Sequence, residues 1–187
     1  MSAQQIKIKD NVLTKEVHEK MAYAVVSGKL PLMMSPVVKN SPTAEPEQLT
    51  NNLQFYHIFY KNYGPQSNFG EMISPLLDIL KPLAIVRILL NVNPPTEKVF
   101  QYLLHYDMTD KPSWGEEPFK PYDQCTNAIY YLNTNDGYTI FEDGYKVHSV
   151  ENRLAIFSNT LKHAGTTCTN TYWRGVINFC FIPSINF

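Results

Sequence analysis

The first sustained apolar period along the chain runs through Leu13, Val17, Met21, Ala24 and Val25. These steps lay one stripe along a helix, with Thr14 as the capping acceptor and Gly28 as the stop, so a helix is expected from Leu13 to Ser27. Residues 29–54 hold four prolines and no sustained period. They read as a long irregular connection, either a lid or a wrapped loop. A second helix is expected from Phe69 to Leu80, where Met72, Ile73, Leu76, Leu77 and Leu80 share one face; Pro75 is tolerated near its first turns, and Pro82 ends it. From Ile85 the texture changes to short runs of valine, isoleucine, tyrosine and phenylalanine broken by turn residues. Strands are expected near 85–92, 99–107, 126–133, 138–142, 145–150, 153–158 and 173–181. Asn135-Asp136-Gly137 and Asp143-Gly144 supply hairpin turns, because these residue types tolerate the positive φ of tight β-turns. The fold class is mainly β: an antiparallel jelly-roll with the two N-terminal helices packed on its outside.

Composition narrows the class further. At 187 residues, 44% of them hydrophobic, the chain suffices for one substantial core, and a single domain over 1–187 is expected, with helical support and loops in 1–84 and the β core in 85–182. Sixteen basic residues against 17 acidic ones give no electrostatic bias toward nucleic acid or an anionic membrane. The charged first twenty residues do not read as a signal peptide, and no apolar run reaches the roughly 18 residues a membrane span needs. Cys125, Cys168 and Cys180 are an odd number without CxxC spacing, which argues against a disulfide framework and a structural zinc site; buried thiols in a reducing cytoplasm are the expectation.

Candidate chemistry lies in the β-rich half. In Tyr102-Leu103-Leu104-His105-Tyr106-Asp107 a histidine and a carboxylate stand two residues apart, so an extended strand projects both from one face toward a shared metal. An HxD triplet alone is also a common solvated surface feature. His163 follows the strand at 153–158 and a short turn, at the mouth of the sheet layer. Two histidines and one carboxylate on one face of an octahedron are the ligand set of non-haem iron(II) oxygenases, leaving three positions open. A tetrahedral zinc site would leave one. Eleven residues on, Arg174 heads an apolar strand whose alternation puts Arg174, Val176, Asn178 and Cys180 on one face and Trp173, Ile177, Phe179 and Phe181 on the other. Its guanidinium needs a partner: the distal end of a dicarboxylic acid, an internal acidic side chain, or water at a strand end. His18, His57 and His148 read as structural or surface residues, with His148 the rival third ligand. Asn91, Asn93 and Thr166 are weaker candidates for contacts around the site.

The ordered set His105-x-Asp107, His163 and Arg174, with Ala128-Ile129-Tyr130-Tyr131-Leu132-Asn133 and Asp136-Gly137-Tyr138-Thr139-Ile140-Phe141 between, resembles the prolyl-hydroxylase-like branch of the 2-oxoglutarate oxygenases, particularly its small phage-encoded members. The likeness covers residues 85 to 182. It implies a double-stranded β-helix with iron(II) at its open end, held by His105, Asp107 and His163. It also implies 2-oxoglutarate as co-substrate, Arg174 on the 5-carboxylate, and Tyr131 donating to the same group, although Tyr131 reads equally as core. The reaction implied is hydroxylation of an unactivated C–H bond of a peptidyl or small-molecule substrate by dioxygen, with succinate and CO2 as co-products and ascorbate as an accessory reductant. Related halogenases replace the carboxylate with a small residue, so Asp107 favours hydroxylation. Departing from the prolyl-hydroxylase pattern, Lys111 to Pro118 lengthen the gap after Asp107; they are expected to rim the site and weaken any transfer of prolyl substrate identity. The resemblance implies the cytoplasm, that of the host for a phage-encoded chain. The competing class is a catalytically silent jelly-roll that binds a carboxylate or a partner protein, and a cupin-type zinc or manganese enzyme would leave Arg174 without a purpose.

Overall fold

Thr14 accepts a hydrogen bond from the Val17 N–H (3.4 Å) and so opens α1, Lys15–Val26. In the computed structural model, which describes residues 6–36, 53–110 and 120–184, Met21 and Val25 are the buried apolar positions of this helix. The second helix, α2 (Gly70–Leu80), carries Pro75 inside and buries Ile73, Leu76 and Leu80. It stops at Lys81, which adopts a left-handed φ of 43°, and Pro82 then begins a strand.

The remaining elements are strands: β1 (Lys7–Lys9), β2 (Met33–Pro36), β3 (Leu53–Lys61), β4 (Gly64–Pro65), β5 (Pro82–Asn93), β6 (Thr126–Tyr131), β7 (Tyr138–Phe141), β8 (Lys146–His148), β9 (Arg153–Ser158), β10 (His163–Ala164) and β11 (Arg174–Pro183). The large antiparallel sheet runs β1-β9-β6-β11-β5-β3-β2, with β4 on β3; a smaller one runs β10-β7-β8. Two cores result. Ile177, Phe179 and Phe181 of β11 pack with α1 and α2 on the outer face of the large sheet. Val176 joins Ile129, Tyr131, Phe141, Val147 and Phe157 between the sheets. The alternation expected along β11 is the one observed, and it turns Arg174 toward the inter-sheet space. The mainly β, jelly-roll class holds, with both helices on the outside. No described helix is long and apolar enough to cross a membrane.

Three expectations need correction. The connection at 29–54 is not irregular throughout: β2 lies within it and β3 begins at Leu53, so the N-terminal half also supplies strands to the large sheet. The part between, residues 37–52, lies outside the described residues, as does the 111–118 insertion. The run at 99–107 is not a regular strand; it is tied to the small sheet by isolated bridges, Gln101 to Thr166 and His105 to His163. Asn135-Asp136-Gly137 is no hairpin, because β6 and β7 belong to different sheets and the segment crosses between them; Asn135 Oδ1 accepts from the Gly137 N–H (2.9 Å) to make the bend. The Asp143-Gly144 turn does close the β7–β8 hairpin, with Gly144 at φ 85°.

Candidate metal centre

His105, Asp107 and His163 arrive from two segments. Backbone pairing sets the first contact: the His105 N–H donates to the His163 carbonyl (2.9 Å), and the reverse bond is 3.0 Å. Asn159, fully buried, holds the chain just past Asp107. Its Oδ1 accepts from the Met108 N–H (3.1 Å), and its Nδ2 donates to the Met108 (2.8 Å) and Tyr122 (3.1 Å) carbonyls. The three side chains then each offer a ligand atom, all within 4.8 Å of one another. Asp107 Oδ2 lies 3.5 Å from His163 Nε2.

Tautomers follow from the neighbours. His105 Nδ1 sits 3.0 Å from the Leu103 carbonyl and His163 Nδ1 3.2 Å from the Leu161 carbonyl. A carbonyl only accepts, so each Nδ1 carries a proton, and Nε2 is the nitrogen left to face the ligand cluster. This arrangement fixes ring orientation in metal sites. Phe157 packs edge-on against the His163 ring (4.8 Å between centroids), and the two imidazoles lie 5.0 Å apart. His105 is exposed as a residue, yet desolvation of its ring, aided by the neighbouring His163, holds its pKa below the ordinary value. For Asp107 burial acts upward, but the Arg87 guanidinium, then His163, outweigh it and hold the carboxyl well below the usual carboxylate range. A neutral His105 and an ionised Asp107 are protonation states that binding a divalent metal requires. His148 is exposed on β8 and is not part of this group.

Arg174 lies in the same inter-sheet space, 2% exposed. Its Nε donates to Ser149 Oγ (3.0 Å), and its Cζ stands 5.9 Å from the Tyr131 ring centroid. Nη2 is buried without a hydrogen-bond partner. No acidic residue pairs with Arg174 among the described residues, so both bland readings, an internal salt bridge and a head reaching water, fail here. Burial pushes its pKa down, with Tyr131 and Tyr102 opposing. One glycine makes room beside it: a Cβ on Gly137 would meet Arg174 Cδ at 2.6 Å, whereas one on Gly165 would be in ordinary contact, 3.6 Å from Nη1. Tyr131 is fully buried in the inter-sheet core, and its hydroxyl donates to Thr139 Oγ1 (2.8 Å). Thr166 Oγ1 accepts from the Tyr138 N–H (2.9 Å) and serves as backbone bracing.

Three residues at this site escaped the sequence reading. Arg87 on β5 donates to Asp107 Oδ1 through Nη2. Asn159 looked like a turn residue. Tyr102 lies three residues before His105, a spacing that places it on the opposite face of a regular strand. Between the two bridges, however, one chain advances four residues while its partner advances three. That extra residue is a β-bulge. The Tyr102 N–H donates to the Gly165 carbonyl (3.0 Å), so Tyr102 stands opposite Gly165 as His105 stands opposite His163. Both therefore face inward. The Tyr102 hydroxyl accepts from Asn93 Nδ2 (2.6 Å).

Comparison with known proteins adds the fold relationship. No protein-family model matches the chain, and no curated protein matches it either. Solved structures do. Over 94% of each chain, the structure is similar to the viral collagen prolyl hydroxylase of Paramecium Bursaria Chlorella virus-1, solved as its 2OG complex (TM-score 0.58, 13% identity). The fold is that of the 2OG–Fe(II) oxygenases. A prolyl hydroxylase from Trichoplax adhaerens, solved with a hypoxia inducible factor peptide fragment, aligns over 95% of this chain and 84% of its own (TM-score 0.60, 14% identity). The epimerase SnoN, solved with Fe3+, alpha ketoglutarate and nogalamycin RO, aligns over 96% and 79% (TM-score 0.60, 8% identity).

Proposed function

We propose that the chain is an Fe(II)- and 2-oxoglutarate-dependent dioxygenase that hydroxylates an unactivated C–H bond of a peptidyl or small-molecule substrate. The observation that carries this reading is Arg174: a guanidinium buried between the sheets, with Nη2 unsatisfied and no carboxylate partner among the described residues. Burying an unpaired charge is costly, and a dicarboxylic ligand removes that cost when its distal end pairs with the guanidinium fork. A cation-free carboxylate-binding barrel would account for Arg174 but not for two imidazoles gathered with one ionised carboxylate within 4.8 Å.

His105 Nε2, His163 Nε2 and Asp107 Oδ2 would hold the metal, with the Nδ1 bonds to Leu103 and Leu161 keeping the rings in place. Iron(II) supplies the redox chemistry that couples dioxygen to oxo-acid decarboxylation and C–H oxidation. Arg174 would orient the oxo acid from its far end. Tyr131, its ring centroid 5.9 Å from the guanidinium carbon, would donate to the same carboxylate once its hydroxyl turns from Thr139, and Tyr102 faces the inter-sheet space from the bulge. Phe141 and Phe157 pack around His163 and exclude water from that ring. Asn91 and Asn178 face the inter-sheet space from adjoining strands, half-buried and with no side-chain partner among the described residues, and suit contact with substrate amides or hydroxyls. Ascorbate would act only as an accessory reductant.

Anaerobic addition of Fe(II) and 2-oxoglutarate should give a weak visible charge-transfer band. Aerobic incubation should then yield succinate, lost in His105→Ala and His163→Ala. Undiminished succinate in those variants refutes the ligand assignment; no band with the unaltered protein favours a silent binding module.

A further inference from the structure

Arg87 is the one guanidinium in contact with the candidate metal ligands. It sits in an apolar run, Ile85-Val86-Arg87-Ile88-Leu89-Leu90, where the register of β5 against β11 pairs it with Cys180 and turns it to the inter-sheet face. Its Nη2 donates to Asp107 Oδ1, while Asp107 Oδ2 points at His163 Nε2. The carboxylate is thus divided: one oxygen is committed to Arg87 and the other to the metal centre. Arg87 Nε is buried with no hydrogen-bond partner.

We propose that Arg87 is a positioning residue that keeps Asp107 a one-oxygen ligand and so preserves the coordination position a diatomic gas must occupy. The inference rests on the metal reading above. Two imidazoles and one carboxylate oxygen leave three of six octahedral positions, two for a chelating oxo acid and one more. A carboxylate released from Arg87 is free to swing Oδ1 inward and bind through both oxygens. Metal and oxo acid would still bind, but the last position would be filled. The function of Arg87 is therefore to hold a position open rather than to raise metal affinity.

The test compares Arg87→Met and Arg87→Lys with the unaltered protein, loaded anaerobically with Fe(II) and 2-oxoglutarate, and uses nitric oxide as the gas probe. The visible chelate band reports metal plus oxo acid, and the electron paramagnetic resonance signal of the nitrosyl adduct reports the remaining position. For Arg87→Met the band should persist at a similar oxo-acid concentration, while nitric oxide affinity falls by about tenfold or more, the scale typical of lost contacts to ligand side chains. Arg87→Lys, which still donates to Oδ1, should restore most of that affinity. Unchanged nitric oxide affinity in Arg87→Met overturns the proposal and leaves the oxygenase reading standing. Parallel loss of band and melting temperature in Arg87→Met, with no selective effect on the gas and no rescue by lysine, assigns Arg87 to the scaffold and also overturns it. Absence of the band in the unaltered protein overturns both readings.

Discussion

Replacing Arg174 with methionine should move apo stability and co-substrate affinity in opposite directions. In the free protein the guanidinium is buried, keeps one hydrogen bond to Ser149 and leaves Nη2 without any. Methionine keeps much of the aliphatic volume and removes the charge. Substituting well-packed apolar residues for buried ionic groups often stabilises, by about 1–4 kcal/mol. The orphaned Ser149 hydroxyl offsets about 1 kcal/mol of that. A net gain of about 1–2 kcal/mol corresponds to a melting temperature roughly 2–8 °C higher for a chain of this length. With 2-oxoglutarate the balance reverses, because the distal carboxylate would then be buried unpaired, a loss of about 3–5 kcal/mol. That is about two to three and a half orders of magnitude in Kd. Thermal melts with and without 2-oxoglutarate, in the presence of Mn(II) to avoid turnover, read both effects. The unaltered protein at about 100 times its Kd should gain about 2.7 kcal/mol from the ligand, and Arg174→Met almost nothing at the same concentration. If Arg174→Met melts below the unaltered protein without ligand, the guanidinium has a structural partner and the reasoning fails. An equal ligand-induced shift in both proteins would also refute it.

Asn152, buried at φ 58°, accepts from the Leu13 N–H (2.9 Å) and the Tyr130 hydroxyl (3.1 Å) and donates to the Leu13 carbonyl (2.8 Å). Asn152→Ala should cost about 3 kcal/mol by urea unfolding, from lost buried hydrogen bonds and left-handed strain, with Asn152→Gly relieving only the strain; a loss under about 1 kcal/mol would be inconsistent with this. The Arg153 hydrogen bond lowers the Asp10 pKa below its ordinary value, so its folded pKa lies under its unfolded one. The resulting stability is present above the unfolded value, about 4, and is lost as pH falls through the folded pKa. Asp10→Asn should flatten the acid limb of a stability profile taken from about pH 5 downward; an unchanged slope would show that the pair contributes nothing.

How much of this was legible in the sequence depends on how local each determinant is. The helices announced themselves through a periodic stripe, a Thr14 cap and a proline beyond the second, and all of these act within a turn or two. β9 and β11 were legible because their faces meet different environments, helices on one side and the opposing sheet on the other. In β3 only His57 and Phe59 are buried, and the remaining aromatic positions are half-buried, so no polar–apolar alternation marked Leu53–Lys61 as a strand. The turn at Asn135-Asp136-Gly137 has hairpin chemistry but joins two sheets, since turn residues specify a bend and not what the next strand pairs with.

Within the site the divide is the same. His105, Asp107 and His163 could be grouped from their residue types and order. Tyr102 could not, because its face depends on one extra residue in the 101–105 ladder, and that bulge is a property of the pairing with 163–166 rather than of the segment itself. Arg87 lay between these cases. The question put to Arg174, what an arginine does inside an apolar strand, applies unchanged to Arg87, and the answer differs only because β5 passes Asp107 while the first residue of β11 lies against Ser149 and Gly137. Two inward arginines on neighbouring strands thus acquire opposite fates. One is neutralised by a carboxylate of the chain; the other has no carboxylate partner among the described residues and, on the proposed function, takes one from outside. That asymmetry, and not the HxD spacing, makes the interior of this sheet pair read as a binding site for an oxo acid beside a metal.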